Sequence, residues 1–456
     1  MSNLRLLQTT TPHIALIPSA GIGHLIPYLR LAETLALEKC IVTIITPKPT
    51  VSFAESNLIS RFLSTHPDMK QLEFQILPPS QSNSTTNDPF FLQYDAVNRS
   101  AHLLGPLLSS VSPPLSAIVS DLLVSTSLVS IVADLNLPNY ILATTSARFL
   151  SLMVYLPTLL AEPNTKFGGD SDSVTVPGLA SIPQSSIPPP FANPNHLFTE
   201  LIRSNSRMIP QAKGVLVNTF DLFEPETLSA LNSGSVLTSL PPFIPIGPLV
   251  PYESEDCLSL IWLDEQPEGS VVYVAFGSRT TMSKDQIREL GEGLEKSGYR
   301  FFWVIKGSIV DKDDKGDIGE VVGKLYAERN KNKAMMIKEW VNQEKVLAHP
   351  AIGGFVNHCG WNSVTEAALH GIPMLAWPLH GDQRVNAEVV EKAGLGIWER
   401  GWGWNGEKLV KAEEIGKKVK EIMSNAKGNI ADKNDEEEIG AVLGKSYMGR
   451  NKKKAM

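Results

Sequence analysis

Trp340, Gln343, Glu366, Asp382 and Gln383 fall within one stretch of sequence, and each offers a different kind of contact. Trp340, followed by Val341, presents a flat aromatic face for a base; Gln343 offers an amide for its edge and Glu366 a carboxylate for a ribose diol. Between them, Gly354-Phe355-Val356 reads as a buried strand, residues 357–360 as a turn of small polar residues, and Trp361-Asn362-Ser363 as the first turn of a helix. A strand, a glycine turn and a helix start aim free backbone N–H groups and the positive helix end at one point, which is an anion site. His358 stands at its entrance with a further donor, and Gly360 lets the anion approach. A second strand at residues 373–378 delivers Asp382 and Gln383 from the loop beyond its C-terminal end, where open parallel sheets bind ligands. Base, ribose, anion and hydroxyl contacts together describe a nucleotide diphospho-sugar.

A second constellation lies near the start of the chain. Gly21-Ile22-Gly23-His24 follows a strand pattern at residues 13–19 and opens a helical one at 24–37. A dinucleotide fingerprint needs a third glycine and an acidic residue ending the next strand, which closes here on Thr46-Pro47-Lys48. The dehydrogenase reading fails on both counts. What remains is a histidine at a helix start, on a turn open to close approach, and imidazole titrates where it can take a proton from a phenol. Asp121 ends the strand at residues 115–120 and is placed to orient that imidazole, as in a hydrolytic triad without its serine. Its rival role is to cap the following helix. Ser278, after Gly277, offers another donor to a diphosphate; Arg279 and Thr280 either reach the sugar or belong to a plain turn.

The stretch 340–383 resembles the signature segment of plant UDP-dependent glycosyltransferases of secondary metabolism, through His358-Cys359-Gly360-Trp361-Asn362-Ser363 and the closing Asp382-Gln383. The resemblance implies the α/β fold called GT-B, two Rossmann-like, doubly wound parallel-sheet domains facing across a cleft. It implies UDP-glucose as donor substrate, no cofactor, no metal, and direct displacement at the anomeric carbon with inversion and His24 as general base. UDP would be held by Trp340, Val341, Gln343, His358, Gly360, Asn362, Ser363, Glu366 and Ser278, and the sugar by Trp361, Asp382, Gln383 and Thr280. One departure is Asn342, where that family usually has proline; it should loosen the turn before Gln343.

Further motifs look like the branch that makes flavonoid C-glycosides: residues 19–25, Ser52-Phe53-Ala54-Glu55-Ser56, Asp88-Pro89-Phe90-Phe91, Arg99-Ser100-Ala101 and His380-Gly381-Asp382-Gln383. If His24 deprotonates a phenol on a polyhydroxylated ring, charge spreads to the ortho carbon, and orientation decides whether carbon or oxygen attacks. Ile22, Gly23, Phe90, Phe91, Thr145, Ser146 and Phe149 are the expected acceptor pocket, mixing aromatic faces with hydroxyls. An O-glucosyltransferase with a differently tilted acceptor, and a catalytically silent nucleotide-sugar binder, stand as alternatives.

The elements that must position these groups alternate between short β-rich runs and helical patterns, which implies right-handed crossovers and parallel sheets. The expected strands are residues 13–19, 40–47, 72–77, 115–120, 140–145 and 215–219, then 271–277, 301–305, 334–338, 354–357 and 374–377. A proline-rich segment at 241–252 reads as a stiff linker between an acceptor domain, 1–240, and a donor domain, 253–456. Loops at 79–88 and 157–194 are expected to roof the acceptor pocket. The charge run at 431–438 leaves a final domain-bracing helix in doubt.

Composition agrees with this frame. At 456 residues the chain exceeds one typical core, and 43% hydrophobic with 20% charged residues is ordinary for a globular protein. A net charge of −7 disfavours nucleic acid. Three scattered cysteines without metal or pairing spacing, no signal-peptide core and no membrane-length apolar run point to a cytoplasmic chain. Its expected partners are a UDP-sugar and a small aromatic acceptor, with the chain itself a monomer.

Overall fold

The computed structural model describes residues 11–78, 88–161, 173–251, 260–277, 282–305, 333–338, 341–402 and 408–431. In chain order its strands begin β1 (His13–Ile17), β2 (Ile41–Lys48), β3 (Lys70–Gln75), β4 (Ala117–Asp121) and β5 (Asn139–Ala143). A short antiparallel pair, β6 (Ser173–Val174) and β7 (Ile182–Pro183), stands apart, and β8 (Gly214–Val217) and β9 (Phe243–Pro245) return to the first sheet. The second sheet comprises β10 (Val271–Ala275), β11 (Arg300–Val304), β12 (Ala334–Ile337), β13 (Ile352–Asn357), β14 (Met374–Ala376) and β15 (Gly396–Trp398).

Both sheets are parallel throughout, so each strand must be covered on both faces. Side chains alternate accordingly. In β1, Leu16 enters one core while Ala15 and Ile17 enter another; in β10, Val271, Tyr273 and Ala275 face one core and Val272 and Val274 the other. That is why these runs read as nearly continuous apolar sequence.

The strand orders are β3-β2-β1-β4-β5-β8-β9 and β12-β11-β10-β13-β14-β15. In each, the winding direction reverses beside the first strand, between β1 and β4 and between β10 and β13. Chains leaving the C-terminal ends of such neighbouring strands diverge to opposite faces and open a crevice. His24 follows β1 and Asp121 ends β4, whereas Gly277 follows β10 and His358 follows β13. Topology therefore gathers each constellation at a switch point.

The anticipated strands are present with shifted ends, and three differences have physical causes. The proline-rich segment opens with β9 rather than as a free linker: Ile244 and Pro245 pair with Leu216 and Val217 at the sheet edge, where proline sacrifices no ladder donor. Pro157 lies inside the helix Ala147–Ala161 instead of starting a loop, because burial of most of that helix outweighs one missing N–H. β15 and the β6–β7 pair are too short to show alternation in sequence. Of the polar loop at 79–88, only Asp88 is described; its carboxylate caps the helix Pro89–Arg99 by accepting from Phe90 N at 3.0 Å. The helix Ala412–Ala431 buries Ile415, Val419, Ile422 and Met423 in the second domain, and the charge run beyond it lies outside the described residues. No described helix is long and apolar enough to cross a membrane.

Candidate active site

The turn after β1 depends on Gly21, whose φ of +96° suits glycine and whose missing Cβ would lie 2.4 Å from the Phe90 ring. The helix Ile22–Leu37 starts at once and carries His24 in its first turn. His24 Nδ1 lies 2.7 Å from Asp121 Oδ2, while the other carboxylate oxygen accepts from Leu123 N at 2.9 Å. Asp121 thus reaches both the imidazole and the following helix start, one oxygen to each. A carboxylate only accepts, so Nδ1 carries a proton, and in the neutral imidazole Nε2 is then the atom with the lone pair. Asp121 is buried and the His24 side chain is 21% exposed, so the imidazole meets the cavity while its partner is shielded from water. Thr144 Oγ1 approaches the same Nδ1 at 3.1 Å, and the rings of Phe90 and Tyr94 flank the imidazole with centroids 5.9 and 5.6 Å away. Thr144 and Tyr94 were not singled out in the sequence; Thr144's place just beyond β5, beside β4, was the available signal.

On the second sheet the turn after β13 is fixed by Asn357, whose amide donates to Ala275 O at 2.8 Å and accepts from Cys359 N at 2.7 Å. Cys359 takes the left-handed φ of +64° within this turn. Burial pushes its thiol well above the ordinary range, leaving it inert. The imidazole of His358 lies between two glycines: a Cβ on Gly277 or on Gly360 would stand 2.5 Å from its Nε2. The helix Trp361–His370 then begins at Gly360 without any side-chain cap. Its first N–H groups and its positive end therefore remain available to an anion.

The neighbouring residues make a tight network. Gln343 donates to Ser363 Oγ at 2.8 Å and to Glu366 Oε2 at 2.6 Å. Glu366 also pairs with Arg30, which reaches across from the first domain. Burial pushes the Glu366 carboxyl above its usual range, while Arg30 and the Gln343 amide pull it back. Asn342 has a use in this turn. Its side chain accepts from Lys345 N at 3.1 Å and caps the helix Gln343–Leu347, a service that proline could not perform.

Thr145 Oγ1 donates to Asp382 Oδ2 at 2.5 Å, joining the expected acceptor side of one domain to the expected sugar side of the other. Gln383 spends its carbonyl on Leu379 N and His380 N, at 2.8 and 2.9 Å, and so braces the loop that carries Asp382. Trp361 is among the residues lining the cavity, though it is 3% exposed and its indole donates to Asn218 O at 2.9 Å. One expected contact is corrected. Ser146 is fully buried off the cavity wall, where its hydroxyl accepts from Phe149 N at 3.1 Å at the start of the helix Ala147–Ala161. Trp340, Ser278, Arg279 and Thr280 lie outside the described residues.

A cavity of about 800 Å³ joins the two constellations. Its walls include Ile22, Gly23, His24, Phe90, Phe91, Thr145 and Phe149 from the first domain and Val341, His358, Gly360, Asn362, Glu366 and Asp382 from the second. Single-ligand sites span roughly 300–1,000 Å³, so this volume suits a bulky ligand or two smaller ones. Among the described residues no group of three or more His, Cys, Asp or Glu side chains is clustered to hold a metal ion.

A family model described as UDP-glucoronosyl and UDP-glucosyl transferase matches residues 240–430. Over 442 residues the chain is 47% identical to UDP-glycosyltransferase 708G2 of Citrus unshiu, a match covering 95% of this chain and 93% of that one. It is 46% identical over 419 residues to UDP-glycosyltransferase CGT of Oryza sativa subsp. japonica, covering 91% and 88% respectively. The crystal structure of LpCGTa in complex with UDP resembles it with a TM-score of 0.81 at 44% identity, covering 96% of this chain and 93% of that one.

Proposed function

We infer the reaction from one premise: the chain belongs to the UDP-glycosyltransferase family. Within that activity, we propose that it transfers glucose from UDP-glucose to an aromatic carbon of a flavonoid-type polyphenol, a trihydroxyphenyl ketone such as phloretin or a 2-hydroxyflavanone. The observation that carries the proposal is the His24–Asp121 pair, its free Nε2 on the wall of the cavity that also runs past the uncapped helix start. The relatives that bear the name CGT support carbon rather than oxygen as the acceptor atom.

His24 Nε2 takes the phenolic proton, and the imidazolium is stabilised by Asp121. The phenolate's negative charge reaches the ortho carbon, which forms the new bond to the anomeric carbon from the face opposite the leaving group. The bond from the anomeric carbon to the β-phosphate oxygen breaks, and UDP leaves with the electron pair. Loss of the ortho hydrogen as a proton restores the aromatic ring. Charge growing on the departing diphosphate is met by the helix N–H groups and His358, while Asp382, anchored by Thr145, receives sugar hydroxyls.

Incubation with UDP-glucose and phloretin, followed by mass analysis before and after hot acid, tests this. A hexose adduct that survives acid and fragments within the sugar is the expected result. An adduct hydrolysed to free phloretin would make the enzyme an O-glucosyltransferase for this acceptor. Absence of any adduct despite UDP binding would remove phloretin as a substrate.

A further inference from the structure

The helix Ile22–Leu37 and the helix Trp361–His370 lie side by side although they belong to different domains. Asn362 donates to Gly23 O at 3.0 Å, and Arg30 pairs with Glu366. Asn362 and Glu366 are one helical turn apart, and Gly23 and Arg30 about two, so the two contacts fix the relative register of the helices. The helix that carries His24 is thereby held against the helix whose start awaits the diphosphate. Arg30 is 5% exposed, forms part of the cavity wall, and its buried Nε has no hydrogen-bond partner among the described residues. A guanidinium buried this deeply is costly to hold, and its ion pair with Glu366 is the contact that offsets the cost.

We propose that Arg30 belongs to the nucleotide site: from the first domain it orients Glu366 for the ribose hydroxyls, so that donor binding also docks the helix carrying His24. The proposal rests on the reading of Glu366 as the ribose acceptor. Glu366 Oε2 is tied to Gln343 and Oε1 to Arg30, and each oxygen keeps a second acceptor site for a hydroxyl of the diol. Arg30 acts here as a positioning residue, through its ion pair with Glu366 rather than by touching the ribose itself. The ionisable groups that face Glu366 are Arg30, Glu344 with its partner His370, and the Tyr273 phenol of β10. Arg30 is the cation that directly opposes burial and the repulsion from Glu344.

The test measures calorimetric affinity for UDP and 2′-deoxy-UDP with wild type, Arg30→Gln, Arg30→Lys and Glu366→Gln, between about pH 6 and 8.5. Wild type is expected to prefer UDP. Arg30→Gln should weaken UDP by about ten-fold and largely erase that preference, as loss of a charge-assisted contact does. Without Arg30 the buried carboxyl takes up its proton at higher pH, so the loss should deepen as pH falls and ease as it rises. Arg30→Lys, which keeps the charge, should recover part of the affinity and serves if the glutamine variant does not fold. Full preference for UDP in Arg30→Gln would overturn the role of Arg30, as would equal weakening of both nucleotides at every pH. Absence of any preference in wild type would instead remove Glu366 from the ribose, and the proposal with it.

Discussion

Replacing Asp121 by asparagine should disable the base while leaving the fold almost unchanged. The two carboxylate oxygens are spoken for, one accepting from Leu123 N at 2.9 Å and one facing His24 Nδ1 at 2.7 Å. Asparagine has one acceptor and one donor group. Turning its NH₂ toward Leu123 N would leave a buried donor facing a donor, at a cost of about 1–3 kcal/mol. The carbonyl therefore stays on Leu123, and the NH₂ turns to His24. Nδ1 must then accept, which moves the ring proton to Nε2 and blocks the atom that receives the phenolic proton. A hydroxyl from Thr144, 3.1 Å from Nδ1, can reinforce that tautomer by donating as well. The imidazolium formed during transfer also loses a negative partner, worth about 4 kcal/mol for unit charges 4 Å apart at an effective dielectric near 20. That corresponds to about 10³ in rate. With saturating UDP-glucose and phloretin, kcat for Asp121→Asn should fall by about 10²–10⁴, and the Kd for UDP should stay within about twofold, because the Asp121 carboxylate bonds to His24 and Leu123 within the first domain. Acceptors acidic enough to arrive ionised should suffer least. Retention of more than about a tenth of wild-type kcat, a loss of less than 1.4 kcal/mol, would refute the tautomer argument.

Other substitutions separate the remaining parts. Gly360→Ala places a Cβ 2.5 Å from His358 Nε2 without a positive φ to complicate the result; UDP affinity should drop by about ten-fold, and unchanged calorimetry would exclude His358 as a diphosphate contact. Thr145→Val removes the donor to Asp382. It should raise the KM for UDP-glucose several-fold and spare the Kd for UDP, so equal loss of both would contradict a sugar-specific role. Glu224 is buried and accepts from Ala147 N and Arg148 N at 3.0 and 2.8 Å, one oxygen each. Glu224→Gln forces an NH₂ against a helix N–H and should cost about 1–3 kcal/mol, seen as a lower Tm; an unchanged midpoint would show that the helix start relaxes. Asp382→Ala should raise the donor KM or lower kcat, and unaltered kinetics would detach it from the sugar.

Much of this architecture was legible because it is local. Strand runs such as Val271–Ala275 are apolar on both faces, as strands covered on both sides by helices are. The turn before Trp361 announces itself through small residues and a helix start, and His24 through two glycines. What sequence could not show was where side chains of ambiguous chemistry turn. Thr145 and Ser146 are adjacent hydroxyls after β5; one reaches across to Asp382 and the other turns inward to cap its own helix. Trp361 carries a ring of the right kind for a sugar, yet Asn218, more than a hundred residues earlier, takes its indole N–H. Arg30 was not singled out in the sequence, because its partner lies in the other domain.

These cross-domain contacts bear on how the reaction is assembled. Neither sheet alone completes the proposed site: the first holds a base with no leaving group, the second an anion site with no base. Asn362 to Gly23, Arg30 to Glu366 and Thr145 to Asp382 join them, and all three lie on the cavity rather than at the far edge of the interface. A typical hydrogen bond contributes about 1 kcal/mol net, so together they add only a modest bias toward docked domains. A donor that bears on Glu366, Asn362 and Asp382 at once would stiffen the same joints. Closure and alignment of the base then draw on one set of residues, and a substrate that leaves one of them unpaired weakens both.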